Sequence, residues 1–268
     1  MTKRRRTTFI RSGQYAIIVV IVAVLAVAGR WGDFRAQFLD FHIMGQVLPR
    51  VIKTGLVNTL VYTVMAFVFG LIVGLIIALM RMSEVRLYRW IATVYVELLR
   101  GLPTLLVLFL LNYAIPTLFG TNNKLFSNFY LLVTIGLGSV AAAYMSETIR
   151  AGVQAVPKGQ MEAARTLGMS SGKALRLVIL PQAFRIIIPP LTNEIILLIK
   201  DSSLVYALSL TAKQYDLTYL TQTAASGGIT GVEANASPLV LAGLAYLVVT
   251  LPLSQAVRAL ERNQAKRR

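Results

Sequence analysis

No cysteine occurs in this chain, and histidine occurs once, at His42. The first absence excludes a disulfide framework and any thiolate nucleophile or thiolate-held metal. The second leaves no spacing such as His-Glu-x-x-His, so a membrane-embedded hydrolase or transferase finds no support. His42 lies in a mixed segment near a predicted membrane surface and reads as structural. Acidic residues are also scarce, 11 against 27 Lys and Arg, a formal net charge of +16. That balance would suit a soluble nucleic-acid binder, but such a protein carries its basic residues on amphipathic elements. Here they are separated by uncharged runs such as Phe67 to Met80, and no nucleic-acid partner is expected.

What remains is apolar. The 268 residues are 56% hydrophobic, with a mean hydropathy of +0.66, which predicts an all-α integral membrane protein in contact with lipid. About six transmembrane helices can be drawn, at Ala16–Ala28, Thr59–Met80, Ile91–Ile115, Phe129–Met145, Leu191–Ala212 and Leu239–Val257. The first follows Lys3-Arg4-Arg5-Arg6 and Arg11. Residues Ala26, Ala28 and Gly29 supply a weak cleavage-like pattern, but the run extends back to Tyr15, so an uncleaved anchor held by its basic cluster is preferred.

The remaining basic residues set the orientation. With the N-terminus inside, the inner segments hold Arg81, Arg86 and Arg89, then Arg150, Lys158, Arg165, Lys173, Arg176 and Arg185, then Arg258, Arg262, Lys266, Arg267 and Arg268. The outer loops after the third and fifth spans offer little beyond Lys124 and Lys213, in keeping with the positive-inside rule. Both termini are therefore expected in the cytoplasm of a multi-pass plasma-membrane protein. Arg30, Arg35, Arg50 and Lys53 in the first outer connection are the exception. Residues 224–238, rich in Gly, Ala and Ser, predict a flexible exposed outer loop. Gly70 and Gly74, and Gly136, Gly138 and Ala141 to Ala143, form small-residue faces for close helix packing.

Two spans carry polar residues where hydrocarbon is expected. After Pro103 the run Thr104 to Ile115 covers only about 18 Å as helix, against a hydrocarbon core of about 30 Å. Glu97, Arg100, Gly101 and Pro103 must then lie at least partly at membrane depth, with Glu97 and Arg100 placed to pair at i, i+3 and Pro103 permitting a kink. In the fifth span, Lys200-Asp201-Ser202-Ser203 interrupts the apolar run. Glu194 lies six residues earlier, and Glu147 comes near the inner end of the fourth span. Broken apolar segments of this kind need a protein surface or a water-filled cavity, so Glu97, Arg100, Glu147, Glu194, Lys200, Asp201, Ser202 and Ser203 are candidates for a transport path or gate. The bland alternative is interfacial residues that snorkel or close local ion pairs.

Between the fourth and fifth spans the pattern changes to a short polar amphipathic element. Pro157 stands at the start of a predicted helix over Lys158 to Leu167, and Gly168 at its end. Met161, Ala164 and Leu167 share one face. Ser170 is placed to cap a second short helix carrying Leu175, Leu177, Val178 and Leu180, which Pro181 should stop. The product is a compact knob with Ala163 and Ala164 at its tip, suited to a partner's groove.

The stretch Glu162-Ala163-Ala164, three residues, Gly168, nine residues, Val178, one residue, Leu180-Pro181 resembles the cytoplasmic signature loop of permease subunits in binding-protein-dependent ABC importers, with Val178 in place of Ile. Glu97 to Pro103, Ala143 to Glu147, and Asn193 to Leu204 look like the polar amino-acid branch, which imports histidine, glutamate, glutamine, arginine or opines. The resemblance covers about 54–261. It implies a five-helix permease domain over 54–261 with a coupling loop at 151–190. Residues 1–53 would add a basic tail, one helix and an outer connection, and 262–268 a basic tail. It implies ATPase contact through Glu162, Ala163, Ala164, Gly168, Leu180 and Pro181, with two cytoplasmic ATPases, a second permease subunit (a different chain in preference to a second copy), an external binding protein and an amino-acid substrate, glutamate or glutamine before arginine. ATP and magnesium would sit on the ATPase. In this chain Gly168 to Ala174 falls short of a phosphate loop, with three residues where four are needed and Ala174 where Ser or Thr should bind magnesium, so no cofactor and no catalytic residue is assigned. The rival reading is an ion-coupled secondary transporter or channel that works without an ATPase.

Overall fold

The computed structural model describes residues 3–120, 123, 125–208 and 210–265, together with the side chains of these residues apart from 3–10, 12 and 263–265. Lys124 and the terminal Lys266 to Arg268, used above for orientation, lie outside them. Helices, joined by short turns and irregular segments, make up the secondary structure of the described residues, with no strand among them. The helices are α1 (Lys3–Ala28), α2 (Trp31–Phe38), α3 (Phe41–Arg50), α4 (Val57–Met82), α5 (Arg86–Gly101), α6 (Thr104–Phe119), α7 (Phe129–Gln154), α8 (Lys158–Thr166), α9 (Ser171–Ala174), α10 (Leu180–Asp201), α11 (Leu217–Ala225) and α12 (Ser237–Ala265). Four stretches are long and apolar enough to cross a membrane, or up to five if α5 and α6 count as one bent span. In α1 the apolar part is the shorter Gly13–Ala28, and its aliphatic residues from Ile17 to Val27 are all more than half exposed.

Lipid tails are as apolar as leucine, so helices in a bilayer associate by close packing more than by hydrophobic expulsion. The pairing of α4 with α7 follows from that. Gly70 meets Gly138 and Ala141, and Gly74 meets Ala142, Met145 and Ser146, so closely that a Cβ on Gly74 would stand 2.9 Å from the Ala142 carbonyl oxygen. Tyr62 packs on Phe129 and Tyr130 with ring centroids 6.1 and 5.6 Å apart, and Arg81 bonds Glu147. The register rises together along both helices, so α4 and α7 run parallel. The chain between them must therefore cross back once.

It does so through an elbow. The axes of α5 and α6 differ by 113°, where the sequence reading had one continuous span with a kink. Pro103 excludes the helical region for the residue before it, and Leu102 is extended at φ −99, ψ 143. Pro103 itself opens α6 with ψ 132. Ala92 and Val96 of α5 pack on Ile77 and Ala143, while Leu108 of α6 presses on Gly136. The return helix α10 runs antiparallel to α7, with Ile187 against Gly152 and Leu198 in the cluster of Leu137 and Ala141.

Pro181 does not stop the helix that precedes it. The turn before it, Leu175–Ile179, is π-helical, and Leu180 N–H donates to Leu175 O, five residues back. This widening relieves the clash of the proline ring with the carbonyl one turn back, and the chain continues into α10. The outer loop expectation is also corrected. Ala224 and Ser237 are fully buried and Val232 nearly so. Asn235 Nδ2 donates to Ala36 O at 2.9 Å, and Ser237 Oγ accepts from Asp40 N at 2.9 Å. The small residues that suggested flexibility permit close packing, and the segment forms a pad with α3 and α11 around Val47, Val51 and Leu217.

Candidate functional site

The knob at one end of the bundle is built largely as its sequence demands. Helix α8 begins after Pro157 and ends at Gly168, whose φ of +83 only glycine adopts freely. Gly168 N–H donates to Arg165 O at 3.0 Å and Met169 N–H to Ala164 O at 3.1 Å, the paired bonds that close a helix on a left-handed residue. Ser170 Oγ then accepts from Lys173 N at 3.4 Å, capping α9. Arg165 reaches over the turn to Met169 O at 3.0 Å, and Gln160 and Gln182 join α8 to α10 at 3.2 Å.

The knob's surface divides differently from expectation. Ala164 is 4% exposed and faces inward, so the tip is made by Glu162, Ala163, Arg165 and Leu167. Ala164 is small because α8 must lie close on its support. Met161 packs on a cluster of Ala78, Ile149, Val156, Ile179, Ala183 and Ile187, drawn from α4, α7, α10 and the chain leading into the knob. Leu167, expected on the apolar face with Met161, is instead 81% exposed. Leu180 is half-buried and Pro181 exposed. The knob is thus a rigid projection of the α4–α7–α10 body with an uncovered leucine beside Glu162.

About three turns back along α7 from Pro157 lies a cluster of charge around Glu147. Glu147 Oε1 accepts from Arg81 Nη1, Glu147 Oε2 accepts from Arg150 Nη2 at 2.9 Å, and Arg100 Nη1 stands 4.0 Å from Oε1. The Arg100 guanidinium also lies 5.3 Å over the Tyr144 ring. The expected pair of Glu97 with Arg100 is not formed. Glu97 is exposed but within electrostatic reach of Arg81, and the Glu147 carboxylate, gripped by two further arginines, takes Arg100 instead. Sequence reasoning used Arg81 only as an orientation marker. An arginine at the end of an apolar run carries no sign of its partner 66 residues away.

The α10 candidates stand apart from this cluster. Glu194 and Asp201 are half-buried, Lys200 is exposed, and Ser202 is fully buried, with its Oγ donating to Ile199 O at 2.7 Å. After Asp201 the helix tightens into a 3₁₀ turn, Ser202–Ala207, and the chain passes over the start of α4. There Asn58 Nδ2 donates to Lys213 O and Tyr215 O, both at 2.9 Å, and Tyr62 Oη to Gln214 O at 2.7 Å. Asp216 caps α11 by accepting from Thr218 N and Tyr219 N. Burial raises its carboxyl to about 6, the bonds from Thr218 and Tyr219 opposing the rise. No group of three or more His, Cys, Asp or Glu able to hold a metal occurs among the described residues.

Residues 66–266 match the protein family described as binding-protein-dependent transport system inner membrane component. The arginine transport system permease protein ArtQ of Bacillus subtilis (strain 168) is 37% identical, covering 84% of this chain and 96% of ArtQ. The probable glutamine ABC transporter permease protein GlnM of the same organism is 35% identical, covering 70% of this chain and 82% of GlnM. A crystal structure of an amino acid ABC transporter with histidines contains a chain 36% identical to this one. The two superpose with a TM-score of 0.73 over 84% of this chain and 98% of the other.

Proposed function

The chain belongs to the family of inner membrane components of binding-protein-dependent transport systems, and from that premise we propose that it forms the translocation path of an ATP-driven amino-acid importer. The carrying observation is the exposed knob around Glu162 and Leu167, fixed rigidly to the helices that carry the polar breaks. Two cytoplasmic ATPases dock on the knobs of this chain and of a second permease subunit, a different chain by preference, and an external binding protein delivers substrate to the opposite face. ATP and magnesium stay on the ATPases. The termini lie in the cytoplasm and the protein spans the plasma membrane; residues 54–261 serve as the transport domain.

When the ATPases close they draw the two knobs together, and the bundles rock so that access alternates between the two sides. Glu162, Ala163, Ala164, Gly168, Leu180 and Pro181 serve the coupling element, with Ala164 and Gly168 shaping it from within. Glu97, Arg100, Glu147, Glu194, Lys200, Asp201, Ser202 and Ser203 serve the path or its gates. Glutamate or glutamine is the proposed substrate. The likeness to a permease named for glutamine supports this, as does Lys200, an exposed cation that forms no salt bridge among the described residues and lies within electrostatic reach of Asp201, where it could also meet a substrate carboxylate.

Glu162→Lys tests the proposal. The reversed charge acts at the partner contact, so the variant should lose the ATPase on purification or hydrolyse ATP without uptake. Normal uptake by Glu162→Lys would sink the reading.

A further inference from the structure

The Glu147 cluster has more structure than an ion pair needs. One carboxylate faces three guanidinium groups from three helices: Arg81 of α4, Arg100 of α5, and Arg150 of its own α7. The three contacts are unequal. Arg81 is 14% exposed and bonds Oε1 directly, and Arg150 bonds Oε2 at 2.9 Å while also donating to Gln154 Oε1 at 3.0 Å. Both oxygens are therefore engaged before Arg100 arrives. Arg100 is 43% exposed and shares Oε1 at 4.0 Å, the loosest of the three contacts. Its other support is the Tyr144 ring.

The fixed and loose contacts sort by the parts they join. Arg81 and Arg150 connect α4 and α7, which the Gly70 and Gly74 contacts already hold together. Arg100 makes the elbow's salt bridge to that body, and Glu97 of the same helix lies within electrostatic reach of Arg81. The elbow is made to pivot: Gly101 meets no neighbouring atom within 4 Å of a Cβ position, Leu102 is extended, and Pro103 has no N–H to continue the helical ladder. The earlier turns of α5 are held to the body by Ala92 and Val96 and by Tyr95 Oη, which donates to Ser139 O at 2.9 Å; Arg100, in the last turn beside a short segment able to absorb backbone rotation, adds the loosest contact, a catch at a hinge. The catch also touches the knob's side of the molecule. Arg150 and Gln154 occupy the last turns of α7, directly before Pro157 and α8, and Arg150 Nε is buried with no partner. One buried donor of the cluster is thus left without an acceptor.

Resting on the importer reading above, we propose that Arg100 is a positioning residue for transport: a releasable latch on Glu147 that holds the α5–α6 elbow against the α4–α7 body. A shift of the knob end moves the Arg150 turn, redistributes the Glu147 oxygens among their three partners, and frees Arg100, the partner with the least to lose. The elbow then swings, and α6 with it. Glu97, exposed on the same helix and already within electrostatic reach of Arg81, is the carboxylate next along α5 for Arg100 to meet when it leaves.

The chain has no native cysteine, so paired nitroxide labels can be placed without background in the full chain in lipid nanodiscs. Leu98→Cys on α5 and Leu79→Cys on α4, both 57% exposed, report the elbow's position. The parent should give one narrow distance distribution. Arg100→Gln should add a second, longer component, and Arg100→Lys, which keeps the charge, should restore the narrow one. An unchanged distribution in Arg100→Gln overturns the latch, as does a failure of Arg100→Lys to restore it. In the assembled transporter, Arg100→Gln should lower uptake per ATP hydrolysed several-fold at unaltered complex yield. A loss of yield with the ratio intact would mark Arg100 as merely structural. If the parent takes up amino acid without consuming ATP, the importer reading fails, while the label distances still decide the latch.

Discussion

Gly152 allows one perturbation whose sign can be worked out from two opposed effects. Glycine inside a helix costs about 1 kcal/mol relative to alanine, so Gly152→Ala should stabilise α7 if nothing stood in the way. Something does: a Cβ at this position overlaps Ile187 Cγ1 of α10 and lies 3.0 Å from its Cδ1. Ile187 is β-branched and 4% exposed, so it has one preferred rotamer and no room to leave. Overpacking of this kind costs about 1–3 kcal/mol, which exceeds the helical gain. Gly152→Ala alone should therefore lower stability by about 1 kcal/mol net. Ile187→Ala alone opens a cavity and costs about 2–5 kcal/mol. In that background the overlap is gone and Gly152→Ala should become stabilising by about 1 kcal/mol, a coupling of about 2 kcal/mol between the two positions. Thermal unfolding of the four proteins in one detergent, followed by circular dichroism, reads this out. The expected change is a fall of about 2–4 °C for Gly152→Ala in the parent and a rise of similar size in Ile187→Ala. A fall of equal size in both backgrounds would refute the reasoning, since it would place the cost of alanine somewhere other than the α7–α10 contact.

Leu167→Asp should leave unfolding of the isolated chain unchanged, because the side chain is 81% exposed, yet reduce the ATPase recovered with it; full recovery would remove Leu167 from the docking surface. Asp216 gives a pH dependence: its carboxyl is raised from 3.8 to about 6 in the fold, so the protonated form is favoured there. Its contribution to stability is fully present below about pH 4 and is lost as pH rises to about 6. Asp216→Asn keeps an N-cap and should flatten the melting temperature across that window; an unaltered slope would assign the titration to another group. Glu147→Gln leaves Arg81, 14% exposed, without its bonded carboxylate, the exposed Glu97 being its remaining acidic neighbour, and should cost about 3–5 kcal/mol, seen as poor yield of folded protein; a fully stable variant would mean that solvent and Glu97 suffice for the arginines.

How far the sequence reads through depends on the range of the interaction involved. The knob is legible because its determinants are local: Pro157, Gly168 and Ser170 act on backbone within a few residues, and each does in the structure what its chemistry requires. The burial of Ala164 is not legible in the same way, because three-residue spacing gives a face but not the side on which the bundle lies. The outer segment was read as flexible for a related reason. Glycine, alanine and serine are common in mobile loops, but the same small side chains allow Asn235 and Ser237 to reach Ala36 and Asp40, about 200 residues earlier.

Hydropathy and backbone propensity are summed along neighbouring residues, and so the chain's order of residues is enough to specify an all-helical membrane protein, roughly where its apolar segments fall, and which short element projects from it. The tertiary structure alone decided that α4 and α7 run parallel, that Pro103 turns a span through 113°, and that Glu147 takes Arg81 and Arg100 in place of a pair of Glu97 with Arg100. Ion pairs between helices are chosen by distance in space: spacing along α7 discloses the i, i+3 pair of Glu147 with Arg150, but not the arginines that α4 and α5 bring to the same carboxylate.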